Sequence, residues 1–159
     1  MAKIHEIMET TPYTCRATDT VRDVILSLSD VQVGSLIIVD GNMGLLGYIS
    51  DSDIIKQISH KKGHIFDWGD MAPIIMDGES LEDRINDLLN TPVIEIATKK
   101  MVFVTPQQEI TEALELIKEE RIKKLAVIED GKVVGVIGRS AIIRHILSRI
   151  VPGENDGEE

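Results

Sequence analysis

The sequence predicts an α/β (α+β) protein made of two tandem β-α-β-β-α units with a helical connector, and three observations carry that prediction. First, the pattern Val21-x-x-Val24-Ile25-x-x-Leu28 returns 89 positions later as Ile110-x-x-Ala113-Leu114-x-x-Ile117. Second, each helical pattern is followed by a continuous apolar run, Leu36 to Val39 and Leu125 to Ile128. Third, each run leads through an acidic, Gly-containing turn into a second apolar strand that runs into a glycine, Gly47 or Gly135, and then a closing helix. The match extends to Ile7 with Ile96, and to Ile54, Ile55 and Ile58 with Ile142, Ile143 and Ile146. Two copies of one unit usually pack on each other, so a pseudo-twofold pair is expected.

In the first copy, Tyr13 to Cys15 reads as a short strand, and Thr18 or Asp19 can cap a helix with Val21, Val24, Ile25 and Leu28 on one face. Gly34 and Ser35 lead into the strand Leu36 to Val39, Asp40-Gly41-Asn42 has turn chemistry, and Leu45 to Ile49 returns as a hairpin. A helix from about Ser52 to Ser59 closes the unit. In the second copy, Val102 to Val104 is the short strand. Thr105-Pro106-Gln107-Gln108 supplies a cap, a proline at the first helical position and a glutamine three residues on. The hairpin is Leu125 to Ile128 and Val133 to Ile137, and the last helix runs from Ser140 to about Arg149. The continuous apolar strands should be buried on both faces.

The units span 2–60 and 91–150, with a connector at 61–90 and an acidic tail at 151–159 that is expected to be disordered. Within the connector, Asp67 to Pro73 reads as irregular. Ser80, with Asp83 three residues on, starts a helix carrying Leu81, Ile85, Leu88 and Leu89 on one side.

Composition narrows the function. The chain has 159 residues, 43% of them hydrophobic but only 3% aromatic, so its core is aliphatic. No run of 18 apolar residues exists, so no membrane span is expected. A net charge of -10 argues against nonspecific nucleic-acid or anionic-membrane binding. A single cysteine, Cys15, and the lack of a visible secretory signal suit a cytoplasmic protein. Cations concentrate at Lys118, Arg121, Lys123 and Lys124. That cluster reads either as a solvated helix end or as an anion site. No catalytic constellation is evident, because Cys15 has no partner base. His60 and His64 have metal-like spacing, but Gly63 interrupts the helix and no third ligand is in sight, so no metal is expected.

The order β-α-β-β-α in tandem, with each hairpin ending near Gly-apolar-x-Ser/Thr-x-x-Asp, resembles the CBS domain family and its stand-alone paired form, the Bateman module. The first copy supplies Gly47-Tyr48-Ile49-Ser50-Asp51-Ser52-Asp53, and the second Gly135-Val136-Ile137-Gly138-Arg139-Ser140-Ala141. The resemblance implies a regulatory, energy-sensing module that binds an adenosine-containing ligand in the cleft between the copies. AMP, ADP and ATP are the leading candidates, with S-adenosylmethionine and NAD as wider members of the class. It also implies a homodimer and a client enzyme or transporter.

Residue by residue, the resemblance implies ribose contact by Ser50 and Asp53 and phosphate contact by Lys123 and Lys124. The adenine is then expected between Tyr48 and the trio Met101, Val102 and Ile122. Chemistry supports the ribose assignment separately: an ionised carboxylate only accepts, so Asp53 can take hydrogen bonds from both ribose hydroxyls. The mirror-related positions are Gly138, Ala141, Gly34 and Ser35, so one competent site per chain is expected. Arg139 and Arg144 can still offer charge there, although solvated surface is the commoner fate for such residues. The rival reading is a ligand-free dimeric scaffold or partner-docking module. It draws on the apolar excess of the last helix: Ile142, Ile143, Ile146, Leu147 and Ile150.

Overall fold

The computed structural model describes residues 2–31, 33–59, 80–151 and, as backbone, 65–66 and 74–75. The expectations for His60, His64, the segment from Asp67 to Pro73 and the tail 153–159 lie outside the described residues.

Helices and strands follow the predicted order. The first copy contains β1 (Thr14–Arg16), α1 (Val21–Val31), β2 (Ser35–Val39), β3 (Leu45–Ser50) and α2 (Asp51–Ser59). A two-residue ribbon, β4 (Ile65–Phe66) and β5 (Ile74–Ile75), and the helix α3 (Leu81–Leu89) follow. The second copy contains β6 (Phe103–Val104), α4 (Ile110–Glu120), β7 (Lys124–Glu129), β8 (Lys132–Gly138) and α5 (Arg139–Ile150). The three-stranded sheets have the order β1-β2-β3 and β6-β7-β8, and β4 pairs antiparallel with β5. β6 runs parallel to β7, and β7 runs antiparallel to β8 with Lys124 opposite Gly138. Asp130 and Gly131 both have positive φ, as a two-residue type I′ hairpin turn requires.

The central strands are buried as continuous runs, Leu36 to Val39 and Leu125 to Val127. The α3 start is also as predicted, with Ser80 Oγ accepting the Asp83 N–H at 3.1 Å.

Two helix starts differ from the prediction. α1 is capped by Thr20, not Thr18 or Asp19. Thr20 Oγ1 accepts the Asp23 N–H at 3.3 Å while Asp23 Oδ2 accepts the Thr20 N–H at 3.0 Å. The Thr20 N–H first, and second the Thr20 hydroxyl, which donates to the same Oδ2 at 2.9 Å, hold the Asp23 carboxyl below its ordinary range. The Asp19 carboxylate instead accepts the Arg16 N–H. In the second copy, α4 begins at Ile110 after Glu109, and Thr105 to Gln108 form a separate turn closed by Gln108 Oε1 on the Thr105 N–H at 2.7 Å. The Pro106 and Gln108 carbonyls accept the N–H groups of His5 and Ile4.

Those two bonds belong to an exchange of segments. Among the described residues, one compact unit takes those within Met1–Thr14, Val39–Leu46 and Lys100–Glu159; the other takes Cys15–Ile38 and Gly47–Lys99. The short 3₁₀ turn Ile4–Glu6 therefore packs with the second copy, and its equivalent, Val93–Glu95, packs with the first. The pairings are equivalent residue for residue. Ile4 N–H donates to Gln108 and Ile110 N–H to Ala2; Val93 N–H donates to Asp19 and Val21 N–H to Thr91. Ile4 is fully buried among Val104, Ile110, Ala113, Leu125, Ile137 and Ile142.

The same segments explain the glycine in each hairpin. Glu9 forms an antiparallel bridge with Val136, and Thr98 forms one with Tyr48. An added Cβ at Gly135 would stand 2.7 Å from the Glu9 carbonyl oxygen, and one at Gly47 would stand 2.8 Å from that of Thr98.

Candidate ligand-binding site

At the β3–α2 junction, Ser50 and Asp53 face each other across the first helical turn. The Ser50 N–H and Oγ both donate to Asp53 Oδ2, at 2.9 and 3.0 Å, and Ser50 Oγ accepts the Asp53 N–H at 3.3 Å. This is the reciprocal box also seen at Thr20 and Asp23, so the pair does cap α2. The cap uses one carboxylate oxygen. The other, Oδ1, has among the described residues only Thr98 Oγ1 at 3.4 Å, a long contact for a hydroxyl donor. Ser50 and Asp53 are half-buried. The junction thus presents a fixed carboxylate with acceptor capacity left on one side. Thr98 was not among the predicted site residues. The repeat offset points to it, since it is the counterpart of Glu9 and bridges the same strand position in its own unit.

Tyr48 lies on β3 in the same unit and is 7% exposed, with its backbone N–H and carbonyl both bonded to Thr98 at 2.9 Å. The other predicted residues belong to the compact unit that contains Lys100–Glu159. Met101 is 57% exposed just before β6. Val102 and Ile122 are half-buried and pack against the core cluster around Ile4.

The basic cluster separates in the fold. Lys118 pairs with Glu115 at 2.6 Å on the face of α4. Arg121 takes the left-handed conformation that ends α4, at φ 55°. Lys123 and Lys124 open β7, and because Lys124 pairs with Gly138, they lie beside the start of α5. There they line a cavity of about 290 Å³ with Arg139, Arg144, Glu9 and Ala141. The structure therefore joins the predicted lysines to the two arginines that sequence reading left on the surface.

Cys15 is buried, and its thiol is pushed up to about 12, by burial first and by the Asp19 carboxylate second. The folded chain should resist iodoacetamide at pH 8 and react once unfolded in urea; equal labelling in both would contradict this burial. The folded thiol keeps its proton to higher pH than the unfolded one. Stability should therefore fall as pH rises from about 9 towards 12.

Among the described residues, no helix is long and apolar enough to cross a membrane.

Comparison with known proteins gives a consistent picture. The family model described as CBS domain matches residues 4–60 and again 93–148. The mitochondrial CBS domain-containing protein CBSX3 of Arabidopsis thaliana is 23% identical over 135 residues, covering 84% of this chain. The chain spans 55% of that relative's own length. An uncharacterised protein of Methanocaldococcus jannaschii, MJ1426, is 27% identical, with 79% of this chain and 80% of that protein covered. Among solved structures, CBSX2 in complex with AMP superposes with a TM-score of 0.71 at 19% identity, covering 95% of this chain and all of that one. The CBS domain pair of MJ0100, in complex with 5′-methylthioadenosine and S-adenosyl-L-methionine, also gives 0.71, at 17% identity over 94% of this chain and 98% of that one.

Proposed function

Because this chain belongs to the CBS domain family, with both copies matched, we propose that it is a regulatory module that binds an adenosine-containing ligand. In this reading Ser50 and Asp53 hold the ribose, and Lys123 and Lys124 contact phosphate. Tyr48, Met101, Val102 and Ile122 provide the apolar surface for the base. The observation that carries the reading is the carboxylate of Asp53: Oδ2 is committed to the cap, while Oδ1 has only one long contact among the described residues. The second copy has Ala141 at the matching position, so ribose recognition belongs to the first copy and one nucleoside binds per chain. That MJ0100 and CBSX2 were crystallised with adenosine compounds supports the ligand class.

Thermal shift with AMP, ADP, ATP, S-adenosylmethionine and NAD tests this. A ligand at one hundred times its Kd stabilises the native state by about 2.7 kcal/mol. Asp53→Ala should lower the unliganded Tm modestly, by the loss of a cap worth about 1 kcal/mol, and remove most of the ligand-dependent rise. Silence with every adenosine compound would favour the scaffold reading.

We also propose a homodimer. On α5, Ile142 is buried but Ile143, Leu147 and Ile150 are 47%, 52% and 70% exposed, an apolar stripe that a twofold contact would cover. Light scattering should give twice the 17.6 kDa chain mass; a monomer mass would reject the dimer.

A further inference from the structure

The start of α5 differs in charge from the start of α2. α2 opens with Asp51 and Asp53 in its first turn and is capped by Ser50 and Asp53. α5 opens with no acidic residue in its first turn, and its N-cap, Gly138, makes no side-chain cap bond. Four cations, Lys123, Lys124, Arg139 and Arg144, line the adjoining cavity against a single carboxylate, that of Glu9. Among the described residues none of the four takes part in an ion pair. Lys118, by contrast, is already neutralised by Glu115.

Packing explains why these charges converge. The β7–β8 register places Lys124 opposite Gly138, where an added Cβ would stand 3.4 Å from Lys124 Cγ, so the lysine stem runs over the glycine. Arg144 follows Ala141 by three residues on α5, which puts both on one helix face. Four unpaired cations around a cavity repel one another, and a bound polyanion relieves that repulsion. With Ala141 in place of a carboxylate, the cavity has no acceptor of the kind Asp53 offers to ribose hydroxyls. The single carboxylate, Glu9, comes from the segment bridged to Val136.

We propose that this cavity is a polyphosphate site that reads charge density and ignores the nucleoside. The inference rests on the assignment of Lys123 and Lys124 to phosphate and extends it: Arg139 and Arg144 complete the contact set, and the preferred group carries two or more linked phosphates. A free polyphosphate and the tail of a nucleoside polyphosphate share this chemistry.

The test is calorimetry on the full chain in low-salt buffer without divalent cations, with orthophosphate, pyrophosphate, tripolyphosphate, ATP and adenosine as probes. Pyrophosphate should bind saturably, about tenfold or more tighter than orthophosphate, and excess adenosine should not displace it. Charge-assisted hydrogen bonds are worth about 1.5–3 kcal/mol, so Arg139→Ala and Arg144→Ala should each weaken pyrophosphate at least about tenfold. Glu9→Gln should tighten it, an effect of opposite sign that a misfolded variant would not give. Lys118→Ala should leave it unchanged. Tripolyphosphate should bind as tightly as ATP, and ATP much the tighter would show that the nucleoside is read and would overturn the claim that the site ignores it. No pyrophosphate binding, or binding indifferent to Arg139→Ala and Arg144→Ala, overturns it. A thermal response to adenosine that Asp53→Ala removes would stand in either case, so failure of the polyphosphate site is separable from failure of the nucleoside reading.

Discussion

Deleting residues 2–9 should unfold the C-terminal copy, although the deleted residues lie beside the N-terminal copy in sequence. The truncation removes Ile4, which is fully buried in the core of β6, α4, β7, β8 and α5. It also removes the bonds Ile4 to Gln108, His5 to Pro106, Ile110 to Ala2, and both bonds between Glu9 and Val136. Truncating a buried isoleucine to alanine alone costs about 2–5 kcal/mol, and each backbone bond adds about 0.5–1.5 kcal/mol. The sum is comparable with the whole stability of a small domain, about 5–15 kcal/mol. Hydrogen exchange would report it: amides from Leu125 to Ile137 should lose protection far more than those of α1 and α2, which lie in the other compact unit. Equal loss in both copies, or a cost below about 1 kcal/mol in urea denaturation, would count against the exchange. Ile4→Ala is the milder version and should cost about 2–5 kcal/mol.

Gly47→Ala and Gly135→Ala should each destabilise by about 1–3 kcal/mol, the usual cost of forcing atoms into a filled space. The obstacle in both cases is a carbonyl oxygen of an adjacent bridged segment, at 2.8 and 2.7 Å, which cannot rotate away as a side chain can. At Gly135 the Met8 sulfur is a further neighbour at 3.1 Å. Gly34→Ala is the control, because its nearest neighbour is the Asp51 carboxylate at 3.6 Å, an ordinary contact. Urea midpoints should rank Gly34→Ala near the parent chain and the other two well below it. If all three behave alike, the close backbone approach is not what keeps those glycines.

The Ser50–Asp53 pair was legible because it is local. Ser50 and Asp53 are three residues apart at a strand-to-helix junction, and helix geometry brings them together whatever surrounds them. The cationic cavity was not legible to the same degree. Lys123 and Lys124 are adjacent in sequence to Lys118 and Arg121, but those two are drawn off by Glu115 and by the end of α4. Arg139 and Arg144 join the lysines only through the β7–β8 register.

The repeat dictated the element order, the buried strands and the family, because hydrophobic periodicity and turn chemistry act within a few residues. Local rules failed where distant segments compete for the same backbone groups. Thr105-Pro106-Gln107-Gln108 satisfies the grammar of a helix start, yet Ile4 and His5 take its carbonyls and α4 begins later, at Ile110. Likewise, sequence order places residues 2–9 with the first copy, while burial of Ile4 and bridging of Glu9 place them with the second. Those choices are long-range: an apolar side chain and an unpaired backbone group settle where the largest dry surface and the free partners are, and neither is written in neighbouring residues.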